Sequence, residues 1–136
     1  MTRYLLDTGS AGDYINRRSG VYERARQAVV DGHRVGIGLP VLAELWYGVE
    51  NSSTRDRNAE RLRRVLPDLI VWPLTEQAAE GYGRIATELR RTGRPIGKID
   101  MLIAAIVLSL GTTTVVSADS DLTAVPGLTV EKWATT

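Results

Sequence analysis

Ile99-Asp-Met-Leu-Ile-Ala-Ala-Ile-Val-Leu-Ser-Leu110-Gly-Thr-Thr-Thr-Val-Val116-Ser-Ala-Asp119 decides the fold class. From Ile99 to Leu110 the residues are strongly apolar and helix-forming, and Gly111 is the residue that closes such a helix. Thr112 to Val116 is β-branched throughout, as in a buried strand. A helix that feeds a buried strand, with an acid just beyond the strand end, is the repeating unit of a parallel α/β sheet.

The same alternation extends outward in both directions. Arg3-Tyr-Leu-Leu-Asp7 reads as a short buried strand running into an Asp-Thr-Gly loop. Val21 to Val30 is an amphipathic helix closed by Asp31-Gly32, and Arg34 to Gly38 is a second strand. Pro40 to Val49 is a helix with proline at its first position. Arg55 to Leu66 is a basic helix ending at Pro67, followed by a third strand, Leu69 to Trp72. Thr75 caps a helix running towards Arg91, with Thr92-Gly93-Arg94-Pro95 as its terminator. After the Thr112–Val116 strand and a polar turn, Leu128-Thr-Val130 is a last edge strand. The expectation is an α/β fold in one domain, residues 1–136, with a central, mostly parallel β-sheet flanked by helices on both faces.

The 136 residues are 43% hydrophobic and 24% charged, the balance of a folded domain with a sizeable core. No cysteine is present, which excludes disulfides and zinc–thiolate centres. The N-terminal apolar run is too short for a signal peptide, and Met101 to Leu110 is too short to span a bilayer. A soluble cytoplasmic protein with no membrane partner is expected. Net charge is only +1, so global charge does not announce a nucleic-acid binder. Lys98 and Lys132 are the only lysines among 17 basic residues. Arginine suits phosphate through its planar fork, although a GC-rich coding sequence explains the bias at least as well.

Four acids stand out by position. Asp7 follows Tyr4-Leu5-Leu6 without a break, so its carboxylate needs a compensating partner. Glu44 sits one turn into an apolar helix, with Pro40, Val41, Tyr47 and Gly48 as its helical neighbours. Asp100 shares its helix face with Ile103, Ala104 and Val107, and so points with the core-facing side chains. Asp119, with Asp121, directly follows the last long strand. Each has a bland explanation: a turn cap for Asp7, a boundary residue for Glu44, a dipole partner for Asp100, turn composition for Asp119 and Asp121. Four carboxylates at one end of one sheet are harder to dismiss. Within about 4–6 Å they repel and raise one another's pKa, a conflict that a hard cation removes. An all-oxygen set with no neighbouring His or Cys selects Mg²⁺, with Mn²⁺ as substitute, and points to phosphodiester or phosphate chemistry.

These residues resemble a known family. Leu-Leu-Asp7-Thr8, Pro-Val-Leu-Ala-Glu44-Leu-Trp-Tyr-Gly, Gly-Arg-Pro-Ile-Gly-Lys-Ile-Asp100-Met-Leu-Ile-Ala-Ala and Val-Val-Ser-Ala-Asp119-Ser-Asp121-Leu are similar, in order and spacing, to the motifs of PIN-domain proteins, above all the VapC toxins of toxin–antitoxin pairs. The resemblance implies a PIN-like domain and a metal-dependent endoribonuclease that cuts structured RNA, tRNA or ribosomal RNA, with a metal-activated water. It also implies a homodimer and a VapB-type antitoxin, forming a higher assembly, whose C-terminal segment blocks the active-site groove. On this reading Asp7, Glu44, Asp100 and Asp119 are the catalytic acids. Asp7, Asp100 and Asp119 hold the metal, with Glu44 and Asp121 as further candidates, and Glu44 orients or deprotonates the water. Thr8 fixes the Asp7 carboxylate by a hydrogen bond, and Arg94 and Lys98 hold flanking phosphates. The last motif departs from the common family form, which leaves the role of Asp121 open.

Two other readings compete: a receiver-like phosphoacceptor domain, and a catalytically inactive PIN-fold module that binds RNA or protein. Gly81-Tyr-Gly83-Arg-Ile-Ala86 formally fits a dinucleotide fingerprint but lies inside a helical pattern with no preceding strand. The Arg55–Arg64 cluster is expected to be a solvated face, and Trp46, Tyr47 and Tyr82 to pack into the core.

Overall fold

A computed structural model describes residues 1–135. Five strands form one parallel sheet: β1 (Arg3–Leu6), β2 (Arg34–Gly38), β3 (Ile70–Trp72), β4 (Thr113–Val116) and β5 (Thr129–Glu131), in the order β3-β2-β1-β4-β5. The helices are α1 (Thr8–Ile15), α2 (Val21–Val30), α3 (Leu39–Glu50), α4 (Arg55–Val65), α5 (Glu76–Arg91) and α6 (Lys98–Leu110), with single 3₁₀ turns at Leu66–Asp68 and Asp121–Ala124. The chain steps from β1 outward to β2 and β3, then returns past β1 to β4. Right-handed crossovers in these two directions put helices on both faces of the sheet. Every strand pair is parallel, including the β4–β5 edge pair.

β1 is the centre. Leu6 pairs with Ile37 on one side and with Val116 on the other. Leu5, Leu6, Ile37, Val115 and Val116 are fully buried, as strands covered on both faces require. From α6, Ile103, Ala104, Ile106 and Val107 are fully buried too. Each large apolar side chain removed from water contributes about 1.5–3 kcal/mol, so α6 is held mainly by its buried surface.

One element differs from the sequence expectation. The loop expected at Asp-Thr-Gly is the first turn of α1. Glycines at positions 9 and 12 each cost a helix about 1 kcal/mol relative to alanine, which is why the stretch reads as a loop. Two tertiary effects offset that cost. Asp7 caps the helix, its Oδ1 accepting from Ser10 N at 2.8 Å, and Ser10, Ala11 and Tyr14 bury one face. Elsewhere the boundaries differ by a residue or two, as fraying ends do.

Tyr47 does not pack into the core as expected: it is 68% exposed, and Leu39 nearby is 47% exposed. Trp46 is half-buried beneath Arg63, whose guanidinium lies 5.2 Å from the ring centroid. On α4, Arg55 pairs with Glu50 and Asp56, Arg64 pairs with Glu60, and Arg61 donates to Asn16 Oδ1. These are the partners of a solvated face. Among the described residues no helix is long and apolar enough to cross a membrane.

Gly36 is required by close approach. A Cβ there would press on the Ile70 carbonyl, with its carbon at 2.8 Å and Ile70 Cβ at 2.9 Å, while a Cβ at Gly48 would meet nothing within 4 Å. Gly36→Ala should therefore lower stability by about 1–3 kcal/mol in urea denaturation, and Gly48→Ala, in an exposed helical position, should leave it unchanged or raise it slightly. Equal effects from the two would refute the packing argument.

Candidate active site

In open α/β sheets the functional crevice lies beyond the carboxyl ends of the strands, where the strand order reverses. Here that point falls between β1 and β4. A cleft of about 960 Å³ opens there, lined by Asp7, Glu44, Asp100 and Asp119 together with Thr8, Asp13, Arg18 and Lys98. Asp7 directly follows β1, Asp119 lies three residues past β4, Glu44 comes from α3 and Asp100 from the first turn of α6.

Asp7 is buried, at 7% exposure, and both of its oxygens are engaged. Oδ1 accepts from Ser10 N, and Oδ2 accepts from the Ser117 hydroxyl at 2.6 Å. The Ser117 hydroxyl in turn accepts from Asp119 N at 3.0 Å. A single serine, the first residue after β4, thus ties the acid beyond β1 to the loop beyond β4. Asp119 Oδ1 accepts from Asp121 N at 2.9 Å, an Asx turn that sets the direction of the following chain.

Asp100, Asp119 and Asp121 each present a carboxylate oxygen within 4.8 Å of the others. The Asp100 carboxyl is pushed above the ordinary aspartate range. Burial is the largest cause, and Asp119, Asp7, Asp121 and Glu44 follow through charge repulsion. The face beneath Asp100 is the apolar one expected, since Ile103, Ala104 and Val107 are all buried. A carboxyl desolvated among four other acids fits a hard divalent cation with oxygen ligands, because the ion removes the repulsion that the protein otherwise has to tolerate.

Three expectations need correction. Thr8 does not fix Asp7: its Oγ1 is buried without a hydrogen-bond partner, and Ser117 makes that contact instead. Thr8 is the first residue of the helix that Asp7 caps, and it lines the cleft beside Asp7. Arg94 does not line the cleft; it borders a separate hollow with Pro95, Ile96, Ser120 and Asp121. Lys98, the first residue of α6, does line it. The surroundings of Glu44 are only half apolar, because Pro40 and Val41 are buried whereas Tyr47 and Gly48 are exposed.

Ser117, Asp13 and Arg18 escaped the sequence reading. Ser117 carried one legible signal, as the only side-chain hydroxyl between β4 and Asp119. Nothing local marked Asp13 or Arg18, which reach the cleft through the packing of α1 and the turn after it.

A PIN domain family model matches residues 4–128. Ribonuclease VapC2 of Rickettsia felis is 30% identical over 130 residues, covering 96% of this chain and 97% of the relative. The tRNA(fMet)-specific endonuclease VapC of Salmonella typhimurium is 31% identical, covering 98% and 99%. Among solved structures, VapBC2 from Rickettsia felis bound to a DNA fragment from its promoter has a TM-score of 0.89 at 28% identity, covering 97% of this chain and 99% of that one. DNA-bound VapBC from Salmonella typhimurium has a TM-score of 0.87 at 31% identity, covering 98% and 99%.

Two outcomes follow from the geometry. Removing the hydroxyl that orients Asp7, in Ser117→Ala, should weaken Mn²⁺ binding by about 10–100-fold in a calorimetric titration; unchanged affinity would reduce Ser117 to a structural hydrogen bond. The second concerns Asp100. A carboxyl whose pKa is raised on folding costs stability once pH exceeds that raised value, and the cost disappears below its unfolded pKa of about 3.9. In EDTA, Asp100→Asn should therefore melt at a higher temperature than the parent at pH 7, and the difference should close as pH falls through the carboxylate range. A difference independent of pH would contradict the electrostatic account.

Proposed function

The chain belongs to the PIN domain family, in its VapC ribonuclease branch, and from that premise we propose a Mg²⁺-dependent endoribonuclease toxin that cuts structured RNA, with Mn²⁺ able to substitute. The observation that carries the reading is the convergence of Asp7, Glu44, Asp100 and Asp119 on one cleft, with the Asp100 carboxyl held partly desolvated among its neighbours. The sheet topology and the family match leave no place for the receiver-like alternative.

Asp7, Asp100 and Asp119 would hold the cation, and Asp121, within reach of the latter two, is a further candidate. When bound, such an ion offsets charge on the phosphate oxygens and acidifies an attacking water. The protein does the rest. Ser117 and the N-terminus of α1 fix the Asp7 carboxylate in one orientation. Glu44, half-buried on α3, orients the water from the cleft wall and takes its proton at a carboxylate oxygen. Lys98, at the start of α6, provides charge for a flanking phosphate.

The relatives supply the biological setting. Their VapBC complexes, two of them bound to DNA, support a VapB-type antitoxin as partner and a higher assembly with it; on our reading the antitoxin's C-terminal segment occupies the cleft. The tRNA(fMet)-specific relative supports a folded RNA such as a tRNA as substrate, with ribosomal RNA as the alternative. Exposed Leu39 and Tyr47 give α3 an apolar surface suited to a homodimer. A cytoplasmic location follows from such a substrate.

Asp7→Asn and Asp100→Asn should each lower cleavage of a panel of cellular RNAs, in Mg²⁺ or Mn²⁺, by roughly a hundredfold or more. Full cleavage by either variant would overturn the assignment. RNA binding without cleavage by the parent chain in Mn²⁺ would favour the non-catalytic module instead.

A further inference from the structure

The cleft presents a charge problem to any RNA. Five acids line it (Asp7, Asp13, Glu44, Asp100 and Asp119), and among the described residues at its wall only Arg18 and Lys98 are cationic. Lys98 sits at the start of α6. Arg18 lies in the turn between α1 and α2, and this turn is unusual.

Two non-glycine residues in the described chain have positive φ, and they flank Arg18: Arg17 at 52° and Ser19 at 58°. Gly20 follows at 76°. Left-handed backbone at a non-glycine residue costs about 1 kcal/mol or more, and persists only where the surroundings dictate it. The surroundings here are explicit. Arg18 N donates to Asp13 O at 2.8 Å, Arg17 N to Tyr14 O at 3.3 Å, and Val21 N to Arg18 O at 3.3 Å. From the far end of the chain, Thr135 donates twice to Ser19 O, from its N at 3.0 Å and its Oγ1 at 3.1 Å. The two adjacent arginines are also divided. The Arg17 guanidinium lies 4.1 Å from the Tyr22 ring centroid, whereas Arg18 lines the cleft.

The Arg18 side chain is 64% exposed, and its one salt-bridge partner among the described residues is Asp13, at 3.6 Å from Nε. At that length the ion pair is weak and easily surrendered, and both of its residues line the cleft. Among the described residues no salt bridge engages the two terminal nitrogens of the fork, which can take an anion.

We propose that Arg18 is a preorganised phosphate clamp: the Arg17–Gly20 turn, locked by Thr135, holds its guanidinium at the lip of the acidic cleft, where it exchanges Asp13 for an RNA phosphate next to the one that is cut. This assignment rests on the nuclease reading above. It also gives the strained turn a use and the C-terminal segment a role in substrate binding.

The test is RNA affinity as a function of salt, with bulk tRNA as probe, in EDTA and in an Asp100→Asn background to suppress cutting. Each phosphate contact contributes about 0.9 to the slope of log affinity against log salt for duplex nucleic acid, which corresponds to roughly tenfold in affinity at 0.1 M salt. Arg18→Ala should therefore weaken binding about tenfold and flatten the slope by about one. Arg18→Lys should recover the slope but only part of the affinity, because lysine lacks the fork. Deleting Thr135 and Thr136 should weaken binding with the slope unchanged, since the charge stays and only its placement loosens. Arg64→Ala, which removes a cation paired with Glu60 on α4, should change neither. An Arg18→Ala slope and affinity equal to the background overturn the clamp while leaving the nuclease reading intact. If the parent chain neither binds nor cuts RNA, the nuclease reading fails and the clamp with it.

Discussion

The Asp7 carboxylate is the interaction on which the rest of this molecule depends. One oxygen starts α1, and the other receives the hydroxyl that follows β4. It therefore fastens the central strand, the helix leaving it and the neighbouring strand into one corner. Burying a charge there is expensive unless its oxygens are hydrogen-bonded, and each of the two accepts one bond. Yet the same charge helps to push the Asp100 carboxyl upward. The corner thus combines a satisfied acid with an uneasy one, and an ion that relieves the second need not disturb the hydrogen bonds of the first.

Much of this was legible in the sequence, for specific reasons. The strands are short and mostly β-branched or aliphatic, and Gly32 and Gly111 precede β2 and β4, so β1, β2 and β4 fall where composition puts them. Asp100 was legible because a charge on a face with Ile103, Ala104 and Val107 contradicts the pattern around it. The α1 helix was not, because its glycines argue locally for a loop, and only the cap and the burial of Tyr14 override them. Ser117 was nearly invisible: a serine in a turn is ordinary, and what distinguishes it is a partner 110 positions away. Arg94 misled for the opposite reason. It stands six residues before Asp100 in a motif, but proximity in sequence put it in the next hollow rather than in the cleft.

Arg18 illustrates the remaining class. No periodicity or motif singles out the second of two adjacent arginines in a turn. Its place comes from a backbone bent into the left-handed region on both sides, a ring that captures its neighbour, and a strap from the C-terminus. Only the last is long-range, but the first two are conformational facts that no residue pattern in the turn spells out.

The central position of β1 has a consequence for how the chain comes into being. β1 is the first strand to be synthesised and β4 nearly the last, and Arg3 pairs with Thr113. Until β4 has left the ribosome, the Ser117 hydroxyl cannot reach Asp7, Asp119 does not exist at the cleft, and the middle of the sheet lacks one edge. Contacts this distant in sequence form late and slowly. The four acids of the cleft therefore come together only after most of the chain has been made. The topology thus makes completion of the sheet a condition for assembling the cleft.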